Sequence, residues 1–282
     1  MEWRGWLMKD LECIEFLQWC LPRLRLRWSG FRKVRRQVCK RLNRRIRELG
    51  IPDIFSYKGY LDCHSEEWKS LDSLCRITIS RFYRDRGVFD TLRSRILPAL
   101  AKGALESNAD KVRCWCAGCG SGEEAYTLQI LWKLCIIPVI QEHLPLLIVA
   151  TDINPVVLER AVKGVYTKSS LSDLPGMLVR QAFTCSGGIC AVKKGAYGED
   201  IEFVEQDIRE QLPEGTFQLV LCRNLVFTYF DESLQLELFG RIWERLEPGG
   251  FLVTGIHESL PEGVEGIIRH NKIPGVYQKA TF

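Results

Sequence analysis

The feature that most constrains this sequence is a turn with glycine at positions 118, 120 and 122. The run before it, residues 112–117, reads as a buried strand, and the run that begins at Glu123 reads as a helix. Gly118, Gly120 and Gly122 allow a tight turn and let the backbone approach a ligand where side chains would collide. The sequence therefore predicts a ligand site where the first strand of an α/β sheet meets a helix.

Strand-like and helix-like runs alternate from Lys111 onward, which is typical of a mainly parallel sheet covered by helices on both faces. The predicted strands are residues 112–117, 146–151, 201–205, 217–222, 251–256 and 275–279. The predicted helices are residues 123–134, 155–162 and 233–246, and residues 247–250 are predicted to form a turn. We therefore predict an α/β fold with a Rossmann-like, doubly wound sheet.

The composition of the turn favours S-adenosylmethionine (SAM) over a dinucleotide as its ligand. Dinucleotide sites more often read GxGxxG, whereas this turn reads GxGxG and is followed by Glu123 and Glu124. Two carboxylates at the start of a helix would repel a pyrophosphate, and they also complement the helix dipole. The sulfonium cation of SAM is compatible with these acids, so we expect a SAM site.

Three polar residues at predicted strand ends complete the expected site. Asp152 ends the second strand, where it can accept hydrogen bonds from both ribose hydroxyls or, alternatively, cap a turn. Asp207 ends the third strand and can accept a hydrogen bond from the adenine amino group. Asn224 follows the fourth strand and is expected near the methionine part of SAM, at the switch point of the sheet.

Taken together and in order, these motifs resemble the CheR family of protein-glutamate O-methyltransferases, which methylate chemoreceptors. The family-like stretches are residues 80–85, 117–124, 150–153, 161–166, 222–224, 247–250 and 257–260. The resemblance implies a class I SAM-dependent methyltransferase domain at residues 77–282 and a small all-α domain at residues 1–76. It also implies that residues 167–199, which are not visibly strand-rich, correspond to a reduced form of the β-subdomain by which some members dock on a receptor tail.

The resemblance implies roles for individual residues. The expected cofactor contacts are Thr78, Ser80, Arg84, Gly118, Gly120, Gly122, Glu123, Asp152, Asp207, Ile208, Asn224 and Leu225. Arg84 is also expected to hold the acceptor carboxylate, with a structural salt bridge to Asp85 as the alternative. Tyr229 is expected either to donate a hydrogen bond to that carboxylate or to pack in the core. The chain departs from the family at Thr78, which replaces an amide, and by one additional residue between Asn224 and Tyr229.

Methyl transfer to a carboxylate requires alignment and a partly desolvated nucleophile. A glutamate side chain is already ionised at neutral pH, so this reaction requires no general base. His64, His143, His257 and His270 lie in no motif that would poise them as bases, which agrees with such a reaction.

Two other functions stay open from the sequence. The first is SAM-dependent methylation of another acceptor, a nucleic acid or a small molecule. No Asn-Pro-Pro-Tyr element follows the fourth strand, and Cys185 precedes the third strand, so nucleic-acid methylation has little support. The second is a non-catalytic SAM-binding module, which the altered Thr78 would fit. We expect an enzyme because Arg84, Asp152 and the three glycines are retained.

Positive charge is concentrated near the N-terminus. The chain has a net charge of +4, but residues 1–75 hold 16 Lys and Arg against 10 Asp and Glu, and residues 23–47 hold twelve basic residues and no acid. Apolar residues recur at helical spacing from Phe31 to Leu49, which predicts an amphipathic helix over residues 31–49. Its basic face is either solvated or binds an acceptor protein with an acidic surface, and nucleic acid is not the expected partner.

The remaining expectations concern location, thiols and metals. Apolar runs are shorter than the roughly 18 residues of a membrane span, and Glu2, Arg4 and Lys9 stand where a secretion signal needs an apolar core. We therefore expect a cytoplasmic protein without membrane insertion. The 12 cysteines are scattered, which favours reduced thiols. Cys114 and Cys116 share a strand face with no second ligand pair nearby, so no metal site is expected.

Overall fold

The computed structural model describes residues 9–262, 266–269 and 274–281. By compactness the chain divides into two units. The first comprises Met1–Ile77 and Thr228–Leu234, and the second comprises Thr78–Phe227 and Gln235–Phe282. Each unit is therefore built from two separate stretches of the sequence.

The first unit is helical in its described part. Its helices are α1 (Asp10–Cys20), α2 (Trp28–Phe31), α3 (Arg35–Glu48), α4 (Ile54–Cys63) and α5 (Glu67–Cys75). Val38, Leu42 and Ile46 recur every four residues along α3 and are almost completely buried, so one face of this helix forms part of the core. Its remaining faces carry basic residues, as predicted, but Arg32 and Lys33 lie in the turn before the helix.

The predicted helix over residues 31–49 is wrong at its beginning. Residues 32–34 form a turn that separates α2 from α3, and the Val34 N–H donates to the Phe31 carbonyl at 3.0 Å. The apolar spacing continues through this turn because Phe31 is also buried, which is why the pattern alone suggested one longer helix.

Residues 228–234 complete the first unit through backbone hydrogen bonds. The Arg27 N–H donates to the Tyr229 carbonyl at 2.8 Å, and the Asp231 N–H donates to the Arg25 carbonyl at 2.9 Å. An isolated antiparallel bridge joins Leu26 to Phe230 between them. Residues 229–231 of the second stretch therefore pair with the connection between α1 and α2 through one isolated bridge.

The strands among the described residues form two sheets. They are β1 (Val112–Ala117), β2 (Leu146–Asp152), β3 (Val165–Thr167), β4 (Phe183–Ser186), β5 (Ile189–Val192), β6 (Ile201–Glu205), β7 (Phe217–Cys222), β8 (Leu246–Val253), β9 (Ile267–Arg269) and β10 (Val276–Lys279). The larger sheet has seven strands in the order β6-β2-β1-β7-β8-β10-β9. Its first five strands run parallel, and β10 runs antiparallel to both β8 and β9.

This strand order confirms the predicted fold class, a Rossmann-like and mainly parallel sheet of the class I SAM-dependent methyltransferases. The chain moves outward from β1 through β2 to β6 and then returns to the other side of β1 with β7. The carboxyl ends of β1 and β7 therefore border the switch point, where open α/β sheets bind their ligands.

The remaining α-helices among the described residues are α6 (Arg86–Thr91), α7 (Leu97–Glu106), α8 (Glu123–Leu131), α9 (Ile137–Ile140), α10 (Pro155–Lys163), α11 (Gly176–Ala182), α12 (Lys194–Tyr197), α13 (Val226–Tyr229) and α14 (Glu232–Arg245). π-helical turns at Leu92–Ile96 and Trp132–Ile136 follow α6 and α8. None of the helices in the described part of the chain is long and apolar enough to cross a membrane.

The turn predicted at residues 247–250 is wrong, because these residues lie inside β8. Gly249 has a φ of +76°, and the pairing of β7 with β8 shifts register between Phe217 and Leu219. The irregularity is thus absorbed as a bulge within a longer strand. The sequence predicts that this strand ends at residue 256, but it ends at Val253.

The smaller sheet is antiparallel, in the order β3-β5-β4. Residues 167–199 contain strands that the sequence pattern did not reveal, because β4 and β5 form a hairpin there across Gly187 and Gly188. Both glycines have positive φ values, which suit a tight hairpin turn.

Four cysteines form two disulfides, so the expectation of reduced thiols is wrong for these residues. Cys13 on α1 is bonded to Cys39 on α3, and Cys185 is bonded to Cys190 across the β4–β5 hairpin. The other eight cysteines are free, and most of them are buried. Spacing in the sequence could not reveal either pair because pairing depends on which elements lie side by side.

Candidate active site

The glycine turn lies where the sequence predicts it, between β1 and α8, and all three glycines have left-handed backbone angles. A Cβ atom added to Gly118 would lie 2.7 Å from Cδ2 of Leu225. One added to Gly122 would lie 3.0 Å from Cβ of Ala161 and 3.0 Å from the ring of Phe203. Gly122 therefore requires glycine for backbone conformation and for space, whereas Gly118 requires it for backbone conformation.

Asp152, the last residue of β2, is fixed against this turn. Its Oδ2 accepts a hydrogen bond from the Gly120 N–H at 2.9 Å, and its Oδ1 accepts one from the Asn154 N–H at 2.9 Å. Each carboxylate oxygen can accept more than one hydrogen bond, so the turn-capping role and the predicted ribose contact are compatible.

Glu123, the first residue of α8, is a buried carboxylate with an exposed fraction of 3%. Its Oε2 atom is buried and has no hydrogen-bond partner within the described residues. Burial raises the pKa of Glu123, and the neighbouring Glu124 raises it further, whereas Ser80 and Arg160 oppose the rise. A buried acceptor of this kind suits a cationic ligand group that donates hydrogen bonds.

The segment that carries Thr78, Ser80 and Arg84 runs beside the glycine turn. The Cβ atom of Ser80 lies 3.6 Å from the place where a Cβ on Gly120 would lie, while Thr78 is exposed. The Arg84 guanidinium donates from Nη1 to the Ile79 carbonyl at 2.9 Å. It does not pair with Asp85, the alternative that the sequence left open, because the Asp85 carboxylate binds a different arginine.

That arginine is Arg223, which directly follows β7. Its side chain is 0% exposed, and its guanidinium contacts the Asp85 carboxylate at 2.6 Å and the Glu124 carboxylate at 2.5 Å. It also donates to the Arg84 carbonyl at 3.1 Å. A buried guanidinium thus connects the Arg84 segment with the beginning of α8.

Asn224 and Leu225 lie at the switch point, as predicted. Asn224 has a left-handed φ of +55°, and its N–H donates to Oε2 of Glu258 at 2.8 Å. The same carboxylate oxygen accepts the Gly255 N–H at 2.5 Å. Glu258 is buried, and it ties the loop after β7 to the loop after β8.

Asp207 and Ile208 follow β6 at the same edge of the sheet. The Asp207 carboxylate is engaged by Arg209, at 2.7 Å from Nη2 and 3.0 Å from Nε, and Ile208 is buried. An adenine amino group would therefore be an additional donor to an ion pair, and this contact stays a prediction.

Tyr229 belongs to the first unit, whereas the other candidate site residues belong to the second. Its ring meets the Phe31 ring edge-on with centroids 5.2 Å apart. This packing fits the alternative of an aromatic core contact. The predicted hydrogen bond from Tyr229 to an acceptor carboxylate stays a prediction.

The identity of the chain follows from a comparison with known protein families. Residues 78–274, more than two thirds of the chain, match the family described as "CheR methyltransferase, SAM binding domain". The chain belongs to the CheR methyltransferase family. It is a SAM-dependent methyltransferase, and the buried Glu123 oxygen beside the glycine turn fits the cationic cofactor.

Other members and relatives resemble this CheR-family chain over most of its length. A chemotaxis protein methyltransferase from Listeria innocua is 33% identical over 188 residues, which cover 67% of this chain and 68% of the relative. One from Escherichia coli K12 is 28% identical over 245 residues, covering 80% and 77%. An uncharacterised 104.1 kDa protein from Rhodobacter capsulatus is 31% identical over 224 residues, so the chain spans 23% of that protein's length.

The reasoning from sequence missed two residues that organise the site of this CheR-family chain, Arg223 and Glu258. Arg223 was visible as a charged residue directly after a buried strand, a position at which a charge requires counterions. Its partners could not be identified, because Glu124 and Asp85 lie 99 and 138 residues away in sequence.

Proposed function

We propose that this CheR-family chain transfers the methyl group of SAM to glutamate side chains of an acceptor protein, forming methyl esters. The acceptor belongs to the class of chemoreceptors, since several relatives are named chemotaxis protein methyltransferases. Bound SAM supplies an electrophilic methyl group on a sulfonium. The residues of the chain have to bind the cofactor, orient the carboxylate and exclude water.

The observation that carries this proposal is the set of hydrogen-bond partners of the Arg84 guanidinium. Its guanidinium is bonded to the Ile79 carbonyl and has no carboxylate partner within the described ranges. The neighbouring Arg223 already has two carboxylates, and Arg209 has Asp207. Arg84 is therefore a cation, on the segment whose Ser80 lies near Gly120, that is available for a carboxylate ligand. A guanidinium binds a carboxylate through two parallel hydrogen bonds.

In this proposal the cofactor contacts are those that the resemblance to the family implies, and the geometry of the turn supports some of them. The ionised Glu123 accepts hydrogen bonds from the ammonium group of the methionine moiety, and Asp152 accepts them from the ribose. Asn224 and Leu225 border the methionine part. Thr78 and Ser80 contact the cofactor from the segment that runs beside the glycine turn. Asp207 and Ile208 border the adenine.

No residue is assigned as a general base, because an acceptor glutamate is ionised at neutral pH. Cysteine nucleophiles, which methylation of nucleic-acid carbon would use, have no support. Burial raises the pKa of Cys119 and of Cys222, so these thiols stay protonated near the turn. Cys185 is bonded to Cys190.

The exposed basic residues of α3 form the proposed contact with an acidic acceptor surface. Some basic residues are occupied within the first unit: Arg45 pairs with Glu67 at 2.6 Å, and Arg35 pairs with Asp10 at 2.8 Å. Arg36, Lys40 and Arg47 instead line an open depression of about 360 Å³ on the surface. These three cations are available to a partner.

The test uses SAM with a labelled methyl group and candidate acceptor proteins. Glutamate methyl esters release labelled methanol in mild alkali, whereas methyl groups on nitrogen or carbon stay attached. Release of the label supports the proposal, and alkali-stable label on protein or on nucleic acid contradicts it. An Arg84→Ala variant serves as the matched control, since it should bind the cofactor and label the acceptor much more slowly.

A cytoplasmic location is part of the proposal, and the thiols provide its test. The cytoplasm keeps cysteines reduced, so the two disulfides should form only after the protein leaves the cell. Cells lysed in denaturant with an alkylating agent should then yield protein modified at all 12 cysteines. Modification of only the eight cysteines that are free in the structure would place the protein in an oxidising compartment.

A further inference from the structure

Arg223 has contacts that are not explained by the binding of a cofactor. Its side chain is 0% exposed, so it cannot act as a surface charge. Its guanidinium lies 5.2 Å from the centre of the Phe89 ring and donates to three acceptors, the Asp85 and Glu124 carboxylates and the Arg84 carbonyl. Two of these three acceptors belong to the residue pair Arg84–Asp85.

The segment around Arg84 has a backbone that needs such support. Tyr83 and Asp85, the two residues that flank Arg84, have left-handed φ values of +59° and +60°. Residues other than glycine adopt this conformation only where their surroundings stabilise it. Tyr83 is held by a hydrogen bond from its hydroxyl to Asp90 at 2.8 Å, and Asp85 is held by Arg223.

The third partner, Glu124, lies in the first turn of α8, next to Glu123 and the glycine turn. Arg223 is therefore a fixed link between the segment that carries Arg84 and the helix that begins at the cofactor turn. The geometry depends on a planar group with several donors, since the contacts diverge from one guanidinium.

We propose that Arg223 is a positioning residue for methyl transfer, which holds Arg84 in the orientation that binds the acceptor carboxylate. The inference rests on the proposed function, because it assigns to Arg84 the role stated above. Arg223 itself touches neither cofactor nor acceptor. Its loss leaves the cofactor turn in place, because that turn is held by Asp152 and by the backbone of β2.

The experiment is a double-mutant cycle with Arg84→Ala, Arg223→Lys and the double variant. Lysine keeps the charge but cannot reach three diverging acceptors. Arg223→Lys should lower kcat about tenfold or more, while the Kd for S-adenosylhomocysteine changes less than about threefold. In the parent chain Arg84→Ala should lower kcat strongly. In the Arg223→Lys background the same substitution should lower kcat by less than about threefold. Arg113→Lys is the matched control, since Arg113 donates to the Glu214 and Thr216 carbonyls and should change neither constant.

The inference is overturned if the reduction in kcat of the double variant equals the product of the two single reductions. Arg223 would then stabilise the fold without orienting Arg84. If Arg223→Lys does not fold, Asp85→Asn provides the same cycle, since asparagine tolerates the left-handed backbone and removes one carboxylate from Arg223. It should also lower kcat more than cofactor affinity, and retention of full kcat would contradict the proposal.

Hydrogen exchange provides a readout that does not depend on activity. The amides of residues 80–86 should exchange faster in Arg223→Lys and in Asp85→Asn than in the parent chain, both with S-adenosylhomocysteine bound. Unchanged exchange there would refute the link between Arg223 and the Arg84 segment. The proposed function fails separately, through alkali-stable label in the parent chain, and the exchange result stands in either case.

Discussion

Replacement of Gly122 by alanine tests the claim that the cofactor turn can be built only from glycine. The new Cβ would lie 3.0 Å from Cβ of Ala161 on α10 and 3.0 Å from the Phe203 ring on β6. The Ala161 Cβ is attached directly to the helix backbone, so it cannot rotate away. The alanine would also have to adopt a φ of +84°.

The expected cost follows from these two effects. A left-handed backbone costs an alanine roughly 1–2 kcal/mol, and overpacking of a filled interior costs about 1–3 kcal/mol. Together they predict a loss of about 2–5 kcal/mol in the free energy of unfolding. For a domain of this size such a loss lowers the Tm by roughly 5–15 °C.

The measurements are the Tm by calorimetry and the Kd for S-adenosylhomocysteine by titration calorimetry. The affinity should also weaken, because a displaced α10 moves the loop that begins at Asp152. Gly240→Ala is the matched control: Gly240 lies within α14, an added Cβ meets nothing within 4 Å, and the variant should be about 0.5–1 kcal/mol more stable. A Gly122→Ala variant that melts within about 2 °C of the parent chain and binds equally well would refute the reasoning.

Three further predictions concern single groups. Asp152→Asn should weaken S-adenosylhomocysteine binding about tenfold to hundredfold. Both carboxylate oxygens of Asp152 accept backbone N–H groups, whereas an amide can accept through one atom only. Unchanged affinity in calorimetry would show that Asp152 is not part of the site. Burial raises the pKa of Glu123 above its ordinary value of 4.5, so the folded chain binds this proton more tightly than the unfolded chain. The free energy of unfolding should therefore fall as pH rises from 4.5 through the raised pKa, while affinity for the cationic ligand rises over the same window. Glu123→Gln should flatten both profiles, and persistence of either slope in that variant would contradict the assignment. Replacing Cys13 and Cys39 together by serine removes a link that spans 26 residues and should cost about 3–4 kcal/mol in the loop-entropy description; an equal Tm for the oxidised parent and the double variant would show that this disulfide does not stabilise the protein.

The sequence was most informative where function is encoded by neighbouring residues. The glycine turn, the acids that follow it and the strand-end Asp152 all lie within short stretches whose order reflects the order of elements. Strands β1, β6 and β7 begin and end where the pattern of apolar residues predicts. Buried parallel strands give such clear runs because both of their faces are covered.

The sequence was least informative where a residue is defined by distant partners. Arg223 binds Asp85 and Glu124, which are distant from it in sequence. Glu258 likewise binds the loop after β7, which only the folded sheet brings close to it. Long-range ion pairs of this kind leave no periodic signal along the chain.

Two other errors have local physical causes. The four-residue strands β4 and β5 are too short to show an alternating pattern, so their hairpin was missed. The proline and two glycines at residues 248–250 are typical of a turn, but the sheet accommodates them as an irregularity of β8.

The helical unit includes residues 228–234, which are synthesised long after the helices α1 to α5. During synthesis, the backbone groups of Arg25 and Arg27 therefore wait for partners that leave the ribosome some two hundred residues later. In a fragment ending at residue 77, the Arg25 carbonyl and the Arg27 N–H would lack these hydrogen-bond partners permanently. Cutting the gene between the two units would thus yield an incomplete N-terminal piece, and separate expression of this piece should include the later segment through a designed connection.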